Sequence, residues 1–313
     1  MRWERYGTAT FFVVFYLVVA GSNGWGFLSF SNIISVLSQN SHTAFAATAV
    51  TVTLIAGQFD LSVGALVGLS STLVAVLTAS QGLSLLVAVP LVILIAAAMG
   101  LLNGLLVTRV GVNAFIATLG TGTAFTGVAV LVTNGELIFT GIAPTLISAM
   151  RTEVFGLRLV VVYVAVLMVA LWFVASRTVF GRRLFASGAN PIAAQLAGVP
   201  VRSTTLTAFV VTALIACAGG LVMAGNFGSA NPTAGPELLL PAFAAAFLGS
   251  SIVGKDRFSV IGTIVATFLL ALALNGLDVL GMSAGAKPIF NGLVLVCAVA
   301  LTQTLRRRSA RRN

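Results

Sequence analysis

The sequence predicts an all-α polytopic membrane protein with about ten transmembrane helices and both termini in the cytoplasm. Of its 313 residues, 58% are hydrophobic and only 8% are charged, and the mean hydropathy is +1.09. A soluble chain carries about 25% charged residues, because it must cover its surface with them. The composition therefore indicates an integral membrane protein.

Ten uncharged runs of 16 to 25 residues give the helix number. About 20 residues cross the hydrocarbon core as a helix, and the apolar residues are continuous rather than alternating, which favours helices over barrel strands. We expect the first run to be a retained helix rather than a signal peptide, since nothing downstream looks like a secreted domain. The runs are 10–28, 43–59, 61–79, 83–107, 113–133, 159–176, 203–226, 238–253, 258–277 and 288–305.

The positive charges predict the topology. With the N-terminus inside and ten crossings, fourteen of the 17 basic residues lie on the cytoplasmic side, as the positive-inside rule requires. The basic tail, 306–313, then lies inside as well. Arg151, Arg158 and Lys287 are left outside. The basic residues are spread in short runs rather than gathered on one water-facing patch, so we expect no nucleic acid partner.

The composition also removes most enzyme classes. One His, two Cys and seven acidic residues leave little for acid–base pairs, and we expect no cofactor and no metal. Residues 249–256 match the phosphate-binding loop pattern except at the last position, where Asp256 stands. That pattern needs a hydroxyl there for Mg²⁺ and a strand before it, whereas this stretch ends a membrane segment. We interpret it as a chance match.

Asp60 lies at a break between two apolar runs. Placing an ionisable residue within or near the membrane costs free energy, and such a residue usually faces a partner or a cavity. Asp60 can instead cap the helix that follows it, and both interpretations remain open. Other polar residues inside the helices either line a pathway or hydrogen-bond between helices. The candidate pathway residues are Asp60, Ser62, Asn103, Thr118, Thr121 and Asn275.

The predicted cytoplasmic loop, 177–202, contains the pattern of a short helix. Asn190 can cap it, Pro191 suits its first turn, and Gly198 suits its end. A short exposed helix is poorly stable alone, which favours docking into a groove of another protein. A plain connector is the alternative. Arg182 and Arg183 precede it.

Three stretches resemble the permease subunits of ATP-binding-cassette (ABC) sugar importers, the ribose, galactose, xylose and autoinducer-2 type. The first is GQFDLSVG at 57–64, similar to the family's GGIDLSVG, and the second is NAFIATLGT at 113–121. The third joins Ala193, Ala194 and Gly198 to the glycine-containing motifs at 218–220, 232–237, 247–254 and 262–263. The resemblance spans nearly the whole chain. Gln58-Phe59 replaces the usual Gly-Ile, and Ile192 stands where many importer permeases carry the Glu of their coupling loop.

The resemblance implies one permease domain over 1–313 in the bacterial cytoplasmic (inner) membrane, surrounded by lipid. Two such subunits, identical or homologous, would form the pathway for a sugar, a related polyol or an autoinducer. A periplasmic binding protein would deliver the solute, and two ATPase subunits would grip the coupling loop. The implied coupling residues are Arg182, Arg183, Asn190, Pro191, Ala193, Ala194 and Gly198.

A gradient-driven secondary transporter is the alternative. It would need carboxylates or broken helices at the middle of the membrane. Asp60 and Asp278 are the near candidates, and both fall at the ends of apolar runs. A channel would need a selectivity filter or a ring of charges, and neither pattern is present in the sequence.

Overall fold

The computed structural model describes residues 12–21, 24–252, 257–283 and 285–310. Arg2, Arg5, Lys255, Arg311 and Arg312, on which part of the topology prediction depends, lie outside the described residues, as does the end of the phosphate-loop match. The helices are α1 (Phe12–Gly21), α2 (Phe30–Gln39), α3 (Ser41–Ile55), α4 (Val63–Ala75), α5 (Leu85–Leu105), α6 (Ala114–Thr133), α7 (Pro144–Arg151), α8 (Leu159–Arg177), α9 (Val179–Ala189), α10 (Pro191–Leu196), α11 (Val201–Phe227), α12 (Leu239–Ile252), α13 (Val260–Val279) and α14 (Ala286–Ala310).

Each of the ten predicted segments coincides with one of these helices. Six helices in the described part of the chain are long and apolar enough to cross a membrane: α5, α6, α8, α11, α13, and α4 with a π-helical end at Val76–Ser80. Four shorter apolar helices match the remaining segments, namely Phe12–Gly21, Ser41–Ile55, Pro236–Ile252 and Ala286–Ala300. The all-α membrane class is confirmed. The number of crossings and the location of the termini remain predictions.

The structure adds elements that hydropathy did not mark. Helix α2 is rich in Ser, Asn and Gln and turns directly into α3 at Asn40. The predicted outer loop contains α7 and a two-stranded antiparallel hairpin of β1 (Glu153–Val154) and β2 (Leu157–Arg158). These elements are too short or too polar to give a membrane signal.

Helix α11 is the centre of the packing, because it makes extensive contacts with α3, α4 and α5. A second group joins α12 to α13, α14 and α3. Many polar side chains inside this core hydrogen-bond locally or across helices, although the buried Ser71 hydroxyl of α4 has no partner among the described residues. The Thr51 and Thr263 hydroxyls, for example, lie 2.7 Å apart between α3 and α13, and Thr212 donates to the Ala49 carbonyl at 3.1 Å.

Glycines at four-residue spacing, Gly64 with Gly68 and Gly100 with Gly104, mark close packing of the backbone. A Cβ placed on Gly100 would lie 2.8 Å from the Phe209 carbonyl oxygen of α11. A Cβ on Gly64 or Gly68 would lie 2.6 or 2.8 Å from backbone atoms of Gly235. Any side chain at these positions would push α5 away from α11, or α4 away from the segment at Gly235, so the glycines set the spacing around α4 and α5.

Candidate functional site

Side-chain caps start the two helices, α9 and α10, of the predicted coupling loop at 177–202. Thr178 follows α8 and is the N-cap residue of α9. Its hydroxyl accepts a hydrogen bond from the Gly181 amide at 3.2 Å. Asn190 then accepts from the Ala193 amide at 3.0 Å, and Pro191 occupies the first turn of α10. The backbone leaves the helix at Gly198 with a positive φ of 79°. The predicted helix is therefore confirmed, with its last helical residue at Leu196.

Helix α10 buries a small residue and exposes its large apolar ones. Ala194 is buried within the chain itself, where α10 packs against α9. Its small size therefore follows from packing within the chain, and its implied part in coupling stays a prediction. Ala193 is exposed. The large exposed side chains are Ile192 and Leu196, with 74% and 86% of their surface accessible.

Ile192 and Leu196 are four residues apart, so they share one face of the helix. The sequence contained this signal as the i and i+4 spacing of two large apolar residues, but only the structure shows that both point away from the chain. Arg182 and Arg183 are exposed on α9. The segment thus presents an apolar pair together with two positive charges.

The break between α3 and α4 places a carboxyl group inside the protein. Helix α3 ends at Ile55, the chain turns through Gly57 with a φ of 76°, and α4 begins at Val63. Asp60 is 1% exposed. It accepts hydrogen bonds from the Ser62 amide at 2.9 Å and from the Ser62 hydroxyl at 2.6 Å. Ser62 is the N-cap residue of α4, and no side chain accepts a hydrogen bond from the first turn of that helix, so capping and a place in the pathway both stay open for Asp60.

This carboxyl group belongs to a larger network that joins three helices. Asn103 of α5 donates to the Ser62 hydroxyl at 2.9 Å, and Thr121 of α6 donates to the Asn103 side-chain oxygen at 2.7 Å. Thr118 of α6 accepts from the Leu61 amide at 2.9 Å. We refer to Asp60, Ser62, Asn103, Thr118 and Thr121 as the polar cluster. Thr121 is partly exposed, whereas the other four members are buried.

Asn275 does not join the polar cluster. It lies on α13 and accepts a hydrogen bond at 3.0 Å from the side-chain amide of Asn32 on α2. Asn32 also donates to the Phe27 carbonyl at 2.7 Å. Sequence reasoning grouped Asn275 with the other five by residue type alone, and it missed Asn32 because α2 was not predicted.

The phosphate-loop match begins inside a membrane-type helix. Gly249 lies in α12, and a Cβ placed on it would overlap the backbone of Gly262 in α13. A phosphate loop must instead expose its backbone amides between a strand and a helix. The part of the match that the structure describes is therefore a helix-packing contact.

Six apolar helices of membrane-spanning length in the described part of the chain define the class, a polytopic membrane protein. The chain belongs to the family described as the permease component of branched-chain amino acid transport systems, whose characteristic sequence it matches over residues 32–299. It is a permease subunit of an ABC importer, and it acts as a transport subunit rather than as an enzyme.

Similar proteins agree with this assignment. The ribose import permease protein of Bacillus subtilis is 33% identical over 277 residues, which cover 88% of this chain and 85% of that protein. The autoinducer 2 import system permease protein of an Enterobacter strain is 30% identical over 304 residues, 96% of this chain and 92% of its own length. The D-allose transport system permease protein of Escherichia coli is 26% identical over 303 residues, with 97% and 93% coverage. No solved structure matches the chain significantly.

Proposed function

We propose that this permease moves a sugar or a related polyol across the bacterial cytoplasmic membrane. An extracytoplasmic binding protein delivers the solute, separate ATPase subunits power its movement, and a second permease subunit, identical or homologous, completes the pathway. Relatives named for ribose, allose and autoinducer 2 import support this solute class. The whole chain, 1–313, acts as one domain with ten crossings and both termini in the cytoplasm.

The apolar pair on α10 carries the ATPase assignment. A helix of six residues is too short to be stable by itself in water, and α10 is held by its Asn190 cap and by packing of Ala194. Its exposed Ile192 and Leu196 gain about 1.5–3 kcal/mol each when they are buried. An ATPase groove that covers this face would bury both side chains, and Arg182 and Arg183 add contacts to acidic residues at its edge.

Within the membrane, the polar cluster borders the pathway in this proposal. Thr121 is the cluster member with partial exposure, so it contacts the passing solute. Asp60, Ser62, Asn103 and Thr118 are buried and hold the helices that frame the pathway. Asn275 supports a separate contact between α2 and α13.

Changing the apolar pair tests the docking. The double variant Ile192→Asn and Leu196→Asn should weaken ATPase binding about a hundredfold, because it removes about 3 kcal/mol of apolar burial. The measurement is binding of the purified ATPase to the permease in nanodiscs, together with uptake of labelled ribose or allose by cells.

Gln195 offers a matched control, because it is an exposed polar residue on the same short helix. Gln195→Asn should leave ATPase binding within about twofold of wild type, as exposed polar changes usually do. Full ATPase binding by the double variant would show that α10 is only a connector, and the proposed coupling would be wrong.

A reporter scan tests the topology. Fusions after Asn313 and within 189–200 should report the cytoplasm, and a fusion within 134–158 should report the outside, because these positions follow the positive-inside assignment. A reporter at Asn313 that lies outside would contradict both the even number of crossings and the side on which α10 meets an ATPase.

A further inference from the structure

The end of α9 touches the break between α3 and α4 through two glycines. A Cβ placed on Gly57 would lie 3.2 Å from the Gly188 Cα atom. A Cβ on Gly188 would overlap the Ile55 carbonyl oxygen and would lie 2.9 Å from the Gly57 amide nitrogen. The two backbones are thus in direct contact, with no side chain between them.

This contact connects the two sites described above. Gly188 precedes by two residues Asn190, which caps α10. On the other side, Gly57 precedes Asp60 by three residues, and Asp60 is bonded to Ser62 at the start of α4. One short path from α10 to the polar cluster therefore runs through backbone segments and this glycine contact, beside the contacts that α9 and α10 make with α11.

Both sides of the contact are firmly held. Helix α9 buries Leu184 and Ser187, and a Cβ on its Gly181 would overlap the carbonyl groups at the end of α8. At the break, the Gln58 amide donates to the Thr53 carbonyl at 2.9 Å. Close-packed elements transmit displacement rather than absorbing it.

We propose that Gly57 and Gly188 are positioning residues that transmit movement of α10 to the start of α4. When the ATPase moves α10, α9 pushes the break directly, and the polar cluster carries the displacement to α5 and α6. The inference rests on the proposed docking of an ATPase at α10. Any side chain at the glycine contact would separate the two backbones and loosen this connection.

The variant Gly188→Ala tests the contact in the complete complex of permease, ATPase and binding protein. ATPase binding should remain within about twofold of wild type, because the apolar face of α10 is unchanged. The stimulation of ATP hydrolysis by the sugar-loaded binding protein, with ribose as the first sugar tested, should fall about tenfold, a coupling loss of the size that packed networks carry. Uptake should fall in parallel.

Gly127→Ala is the matched control, because a Cβ on Gly127 of α6 would meet nothing within 4 Å. It should keep both binding and stimulation. Wild-type stimulation in a folded Gly188→Ala complex would overturn the proposal. Loss of ATPase binding in that variant would also overturn it, since the residue would then act on docking itself.

Gly57→Asn covers the case in which Gly188→Ala does not fold. Asn tolerates the positive φ of this position better than other residues, and its Cβ would require a shift of a few tenths of an ångström at Gly188. It should show the same separation of normal binding from reduced stimulation, and normal stimulation would overturn the proposal. The proposed function fails by a different result, namely full ATPase binding by the Ile192 and Leu196 double variant.

Discussion

Helix α10 and the polar cluster place their side chains in opposite ways. Helix α10 exposes Ile192 and Leu196 outside the apolar helices, whereas the cluster buries Asp60 and Asn103 among them. Exposed apolar side chains can still gain free energy if a partner buries them. The buried polar groups of the cluster already bond to one another. The comparison teaches that the two regions suit different roles: in the proposed function α10 binds another molecule, whereas the cluster holds this one together.

This contrast gives a test for every variant. Changes in the cluster should lower the stability of the permease and leave the affinity of the folded protein for its ATPase unchanged. Changes on the exposed face or at the cap of α10 should do the reverse.

The largest effect is expected for Asp60→Ala. The change removes the acceptor of two hydrogen bonds from Ser62, and hydrogen bonds to a carboxylate contribute about 1.5–3 kcal/mol each. We expect the free energy of unfolding to fall by about 3–5 kcal/mol, measured as a lower thermal midpoint in detergent. Asp60→Asn keeps an acceptor oxygen and should lose less than half as much. Equal midpoints for Asp60→Ala and wild type would contradict a structural role.

A smaller loss is expected for Asn103→Leu, which has nearly the same volume. The change removes two hydrogen bonds, from Asn103 to Ser62 and from Thr121 to Asn103, each with a net contribution of about 0.5–1.5 kcal/mol. Ser62 still donates to Asp60, and Thr121 still reaches the Thr118 carbonyl at 3.4 Å, so we expect a loss of about 1–3 kcal/mol. The same thermal measurement applies. Thr123→Val is the control, because Thr123 is exposed on α6 and bonds only to the Leu119 carbonyl among the contacts described. If folded Asn103→Leu bound the ATPase more weakly than wild type, the claim that the cluster affects only stability would be wrong.

The smallest effect is expected for Asn190→Ala. Loss of an N-cap costs about 1 kcal/mol, so α10 should form less often and ATPase affinity should fall about fivefold. The thermal midpoint of the permease should hardly change, because Asn190 is exposed. Titration of ATPase onto nanodisc-bound permease measures the affinity. Asn190→Asp, which retains a capping oxygen, should restore it, and failure of this rescue would argue against the cap.

The sequence predicts the apolar helices and the α10 cap well because both depend on local patterns. Continuous hydropathy marks the ten segments, and the Asn-Pro pair with Gly198 marks α10. Elements with weak local signals, such as α2 and the hairpin, were missed for the same reason.

Contacts between distant segments could not be predicted from the sequence. Nothing in the local pattern shows that Asn103 bonds to Ser62 or that Asn275 bonds to Asn32 instead, because hydrogen bonds between helices depend on their packing. The burial of Ala194 is of the same kind, since it depends on how α10 lies on α9.

The central place of α11 has a consequence for biosynthesis. Helix α11 spans Val201–Phe227 and supplies the packing partner of α3, α4 and α5, yet roughly 120 residues are added between the end of α5 and the end of α11. At about 5–20 residues per second this takes about 6–24 s. The early helices therefore wait in the membrane with the glycine face of α5 uncovered.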